Sequence, residues 1–294
     1  ETWQRDVEVQ PQPPTNLFSG WLARHLASTA PATPNAPLRA VGLGYGVPRS
    51  LVGAPNTVPV RDLSDVGLAG DPDTAASRTR ALNAMYATAP DPLLRAAAQN
   101  TTKTIALLEQ IDFEGYQPAG GAEYPDNEFG YALKSTAALI KADVGVEAAT
   151  IDLDGWDTHE QQGPRDGEMF DLMQTLSQGL AAFHKDLFTS NRQDVVVTVQ
   201  SEFGRNVNQN DSEGCDHGHG GAMLVLGGSV AGGRVLTQWP GLNDDQLYEE
   251  QDLQITIDYR DVLAEILTKR CGNNNIRAVF SDPTYTPTVR GVIR

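Results

Sequence analysis

Five residues in two short segments, Asp157 and His159 followed by Asp216, His217 and His219, are of the types that hold divalent metal ions. Imidazole nitrogens combined with carboxylate oxygens form the ligand set of zinc, manganese or iron, and ligands drawn from several loops reach one ion from different directions. A third segment, Ser201-Glu202-Phe203-Gly204-Arg205, adds a hydroxyl, a carboxylate and a guanidinium. Glu202 suits a general base, a further ligand or a capping group. Arg205 suits a clamp on anionic oxygens or a partner for Glu202. Ser201 is a candidate nucleophile or a cap. An ion among such groups acts as a Lewis acid and lowers the pKa of a bound water or alcohol. The competing reading is that Asp and Gly serve turns and the histidines lie on the surface.

These segments need elements that bring them together. Short β-branched runs alternate with helical periods in the second half of the chain, the pattern of a parallel sheet with crossover helices. A helix over Asn127–Lys141 precedes a strand over Glu147–Leu153, and a helix over Asp166–Phe188 precedes a strand over Asp194–Gln200. The β-branched run Val195–Val199 predicts a central strand buried on both faces. The spacing of Phe170, Met173, Leu176, Leu180, Phe183 and Leu187 predicts one buried helix face. A strand at Ala222–Leu226 and a helix at Asp258–Lys269, with Asp258 as N-cap, complete this half. The two strands are expected in one sheet, with Asp154–His159 and Ser201–Arg205 on its C-terminal edge, where open α/β sheets bind ligands.

The first half carries less chemistry. It reads as a short helix around Leu17–Leu26, a strand at Leu38–Leu43, and an Ala-rich helical stretch from Asp73 to Phe113 broken at Pro90 and Pro92, then a loop over Gln117–Asn127. His25 and His184 lie on helices and read as structural or exposed. Trp156 and Trp239 wall a pocket or belong to the core.

Composition narrows the classes. With 294 residues and 40% hydrophobic content the chain can bury a core, which excludes disorder as the main state. Lys and Arg number 22 against 38 Asp and Glu, a net charge of −16, which disfavours nucleic acid and anionic lipid. No apolar run approaches the roughly 20 residues of a membrane helix. Two cysteines, Cys215 and Cys271, leave room for one bridge at most. Cys215 is otherwise a soft ligand, a reactive thiol or a small buried residue. The chain opens at Glu1, as expected of a processed product or a fragment.

Gly155-Trp156-Asp157-Thr158-His159 with Gln161-Gln162, Ser201-Glu202-Phe203-Gly204-Arg205, Asp216-His217-Gly218-His219-Gly220, Gly232-Gly233-Arg234 and Trp239-Pro240-Gly241-Leu242, in that order, resemble the bacterial domain of unknown function 1501 family. Trp21-Leu22-Ala23-Arg24, Val47-Pro48-Arg49-Ser50-Leu51 and Asp258-Tyr259-Arg260 extend the resemblance over nearly the whole chain. It implies an alkaline-phosphatase-like α/β fold, a mostly parallel sheet with flanking helices, and export, commonly by the twin-arginine route, to the periplasm or the exterior. In the wider clan a first strand supplies an aspartate ligand and a nucleophile. No such strand precedes Trp21 here. Ser201-Glu202 stands where the clan has Asp-His, and Cys215 where threonine is expected.

The expectation is one domain over 1–294, with a helical and loop-rich part (1–125) and an α/β part carrying the site (126–294). Asp157, His159, Asp216, His217 and His219 would hold zinc or manganese. Glu202, Arg205 and Ser201 would act on a small anionic phosphate or sulfate ester. An N-terminal segment or another subunit would complete the sheet. The alternatives are a secreted structural or binding protein with a degenerate metal site, and a metal-dependent carbohydrate or lipid esterase.

Overall fold

In the computed structural model, residues 18–163, 165–189 and 192–294 are described. The chain divides into two compact units, Phe18–Asp152 and, among the described residues, Leu153–Arg294. The early expectation at Leu17 falls outside the described residues.

The first unit is built on a parallel sheet of three strands, β1 (Ala40–Leu43), β2 (Thr57–Val60) and β3 (Ala148–Ile151), in the order β2-β1-β3. β1 lies in the middle and all four of its residues are buried, as its uninterrupted apolar run requires. Helices α1 (Trp21–Ser28), α2 (Ala75–Ala87), α3 (Pro92–Leu108) and α4 (Glu128–Ala142) accompany the sheet. The break expected between the two Ala-rich helices falls at Pro92, which opens α3 with Asp91 accepting from the Leu93 amide. Asn127 caps α4 through the Gly130 amide. Leu38, Val41, Leu43, Leu108, Phe113 and Leu139 belong to the core that joins β1 to α3 and α4. Strand β2 had no counterpart in the sequence reading, because Pro59 and the flanking turn residues mask its alternation.

Arg39 is a buried cation at the start of β1. It makes a two-pronged ion pair with Glu147, at the entry to β3, and donates to the carbonyl of Leu26 at the end of α1. Replacing it with alanine leaves a largely buried carboxylate unpaired, and breaking a buried pair from one side costs about 3–5 kcal/mol. Urea unfolding of Arg39→Ala should show a loss of that size with an unchanged m-value.

The second unit holds α5 (Glu168–Phe188), a two-stranded antiparallel pair of β4 (Val196–Gln200) and β7 (Met223–Gly227), a short antiparallel pair of β5 (Gly204–Arg205) and β6 (His217–Gly218), α6 (Tyr259–Lys269) and α7 (Ile276–Val279). Val230, Val262, Ile266, Val292 and Ile293 form a core against which Val196, Met223 and Val225 of the β4–β7 pair are packed.

Three expectations are corrected here. β4 is not a neighbour of β3: their hydrogen-bonded partners are β7 and β1 respectively, so the two strands lie in different sheets among the described residues. β4 is also half-buried, not buried on both faces. A β-branched run signals a pleated, packed surface and does not specify how many strands flank it. Finally, α5 buries Ala182, Phe183 and Leu187 near its C-terminus, whereas Phe170 and Met173 near its N-terminus are 41% and 51% exposed. The chain is thus a mixed α/β protein with a small parallel sheet and flanking helices. No helix among the described residues is long and apolar enough to cross a membrane.

Candidate metal centre

The segment after Gly155 and the segment before β6 are zipped together. Gln161 and Gln162 donate their amides to the carbonyls of Ser212 and Glu213, and the Cys215 amide donates to the carbonyl of Thr158. The Thr158 hydroxyl, fully enclosed, donates to Gln162 Oε1 at 2.9 Å. This pairing, together with the Arg205–His217 register of β5 and β6, carries the metal-type residues to one place. Loop pairing therefore builds the site, where a shared sheet edge had been expected.

Close approach demands glycine at Gly214. A Cβ there would overlap the carbonyl group of His159. Gly214→Ala must push the two segments apart, at the roughly 1–3 kcal/mol typical of overpacking. The expected result is a lower melting temperature together with weaker metal binding, read by thermal denaturation with and without added ion.

Asp157, His159 and His217 each offer one ligand atom, and all of these atoms lie within 4.8 Å of one another. Asp157 Oδ1 is 2.6 Å from His217 Nε2 and 2.9 Å from His159 Nε2. His159 Nδ1 lies 2.9 Å from Asp216 Oδ1, so both nitrogens of this ring face carboxylate oxygens. A neutral imidazole has one N–H, and its other nitrogen would then turn a lone pair toward an anion. An ion at Nε2 would relieve that contact. Two imidazoles and one carboxylate, with a second carboxylate behind one imidazole, suit a divalent ion with open coordination positions. The side chains of Asp157, His159 and His217 are 63%, 41% and 27% exposed, so a solute can reach them.

The electrostatics agree with an anionic cradle. The hydrogen bond from His217 holds the Asp157 carboxyl below the usual range, aided by the positive potential of His159 and Arg205. The hydrogen bonds from His159 and Asn210 do the same for Asp216.

The remaining expected residues are placed as follows. Asp216 supports His159 from behind and stands outside the three-residue group. His219 stacks on Tyr248, with ring centroids 3.9 Å apart. Ser201 and Glu202 are exposed and also stand outside the group. Arg205 donates to the carbonyls of Trp156 and Cys215, approaches Thr158 Oγ1 at 3.4 Å, and lies over the ring of Phe203. Phe203 in turn stacks on His217 at 3.9 Å. The guanidinium thereby ties both ligand-bearing segments together. Cys215 and Cys271 are not joined by a disulfide. Burial raises the pKa of Cys215, whose thiol donates to the Asn206 carbonyl at 2.8 Å, so it is poorly suited to be a nucleophile.

Sequence reasoning missed Asn210 and Phe203. Asn210 opens an Asn-Asp-Ser-Glu-Gly turn, and an Asx turn there was the available signal. Phe203 had none, because a lone aromatic in a loop is more often packing.

Taken together, the chain is a mixed α/β protein bearing a His/Asp cluster able to hold a metal ion. Residues 4–279 match a family described as Protein of unknown function (DUF1501), and the chain belongs to that family. No curated protein and no solved structure matches it.

Proposed function

We propose that the protein is an exported, metal-dependent hydrolase or transferase of phosphate or sulfate esters, on an alkaline-phosphatase-like fold. The observation that carries this reading is the convergence of Asp157, His159 and His217, with Asp216 behind His159. Zinc or manganese suits that set, and a divalent ion there would supply Lewis acidity toward an ester and lower the pKa of a water. The protein's own contribution is to orient. Asp216 fixes the His159 tautomer, while Phe203 and Arg205 hold His217 and the Asp157 segment in place. Glu202, exposed beside β5, is free to take a proton from a nucleophile delivered by the solvent.

One observation favours the second reading, a secreted binding or structural protein with a metal and no turnover. The guanidinium expected to neutralise an anionic ester is engaged by backbone carbonyls. One experiment separates the two. Protein reconstituted with zinc or manganese is assayed for bound metal and for turnover of an aryl phosphate, an aryl sulfate and an acyl ester. Phosphate or sulfate release that disappears in Asp157→Asn supports the hydrolase. Stoichiometric metal without turnover supports the second reading, and acyl cleavage alone would make the protein an esterase.

A further inference from the structure

Asn210 has both halves of its amide engaged around the metal centre. Its Nδ2 donates to the His159 carbonyl at 2.9 Å and to Asp216 Oδ1 at 3.0 Å, while its Oδ1 accepts from the amides of Ser212 at 3.0 Å and Gly214 at 2.9 Å. Two donors meet acceptors and one oxygen meets two donors, so only this orientation of the amide satisfies all four bonds. The oxygen half is what a turn requires. The nitrogen half is not. It reaches 51 residues back to the main chain of one ligand and sideways to the carboxylate that faces the same ligand's Nδ1.

We propose that Asn210 is a positioning residue of the metal centre, holding Asp216 against His159 Nδ1 so that Nε2 of that ring is presented as the ligand atom. The side chain of Asp216 is 55% exposed and would otherwise rotate freely toward solvent. A carboxylate so tethered selects the tautomer, fixes the ring plane and makes Nε2 a stronger donor. The proposal rests on the reading of Asp157, His159 and His217 as metal ligands.

The probe is cobalt(II), added to the full chain and followed by chelator competition and by its visible spectrum. Asn210→Asp keeps the oxygen that serves the turn, loses the donating half and sets a second negative charge beside Asp216. It should melt close to wild type without metal, bind cobalt(II) about 10–100-fold more weakly and shift the visible bands. Asp216→Asn should weaken binding in the same range, and the double variant should lose less than the two single losses combined, since both act on one ring. Unchanged affinity and spectrum in Asn210→Asp would overturn the proposal while Asp157→Asn and His217→Ala still abolish binding. Should Asn210→Asp fail to fold, Asp216→Asn decides, and unchanged affinity there overturns it equally. A folded wild-type chain that takes up no cobalt(II) removes the metal reading and this proposal together.

Discussion

Asp157→Asn should abolish metal binding, a larger loss than substitution of the outer residues Asn210 or Asp216 brings. Its Oδ1 is the atom approached by both His159 and His217, so it is the one oxygen and the one formal negative charge in the three-residue group. An amide there keeps the shape but offers a neutral oxygen to the cation. The loss should exceed the roughly 10–100-fold controlled by outer contacts, measured by chelator competition. The apo protein should remain folded, because Asp157 is exposed and its partners are the histidines themselves. Equal affinity in wild type and variant would remove Asp157 from the ligand set.

A stability loss as large as that of Arg39→Ala should come from the buried carboxylates of α6. Asp261 accepts from the Tyr285 hydroxyl, the Thr288 amide and the Arg290 guanidinium, and Glu265 accepts from the amides of Arg290, Gly291 and Ile293 and from Lys269. One helix face thus gathers the C-terminal segment through charge-assisted bonds. Glu265→Ala strands three backbone donors and costs about 3–5 kcal/mol by analogy with breaking a buried pair. Chemical denaturation should show this, with the C-terminal amides losing hydrogen-exchange protection first. Burial pushes the Glu265 carboxyl up, but Lys269 and the backbone amides outweigh it and bring its pKa from 4.5 down to about 2. A carboxyl depressed on folding contributes its stability above the unfolded value and loses it as pH falls. Wild type should therefore lose stability between about pH 4.5 and 2, and a Glu265→Gln variant should show a flatter acid limb.

Helices were legible where a 3.6-residue period met a capping residue, as at Asn127 and Asp258, or a proline that opens a helix, as at Pro92. The residues of the candidate cluster were legible by type. Asp157, His159 and His217 do converge, but nothing in the sequence separates them from Asp216 and His219, which differ only in where a backbone turn sends each ring or carboxylate. The partners of β4 were illegible because pairing is decided by distant chain segments. The backbone partners of Arg205 were illegible for a related reason. A guanidinium near acidic loops reads as an anion clamp, and only the folded backbone reveals two carbonyls at the right separation to engage it.

The pairing of residues 158–162 with 212–215 also sets an order of events in folding. His159 and Asp216 are 57 positions apart, and Asp157 and His217 are 60. Between them lie the whole of α5 and β4, so the centre cannot close through local contacts. Its loop-closure entropy must be met by elements already formed. An ion cannot nucleate this fold as it does in a zinc finger. An ion would arrive at a finished scaffold, and added metal should slow unfolding while leaving the refolding rate nearly unchanged.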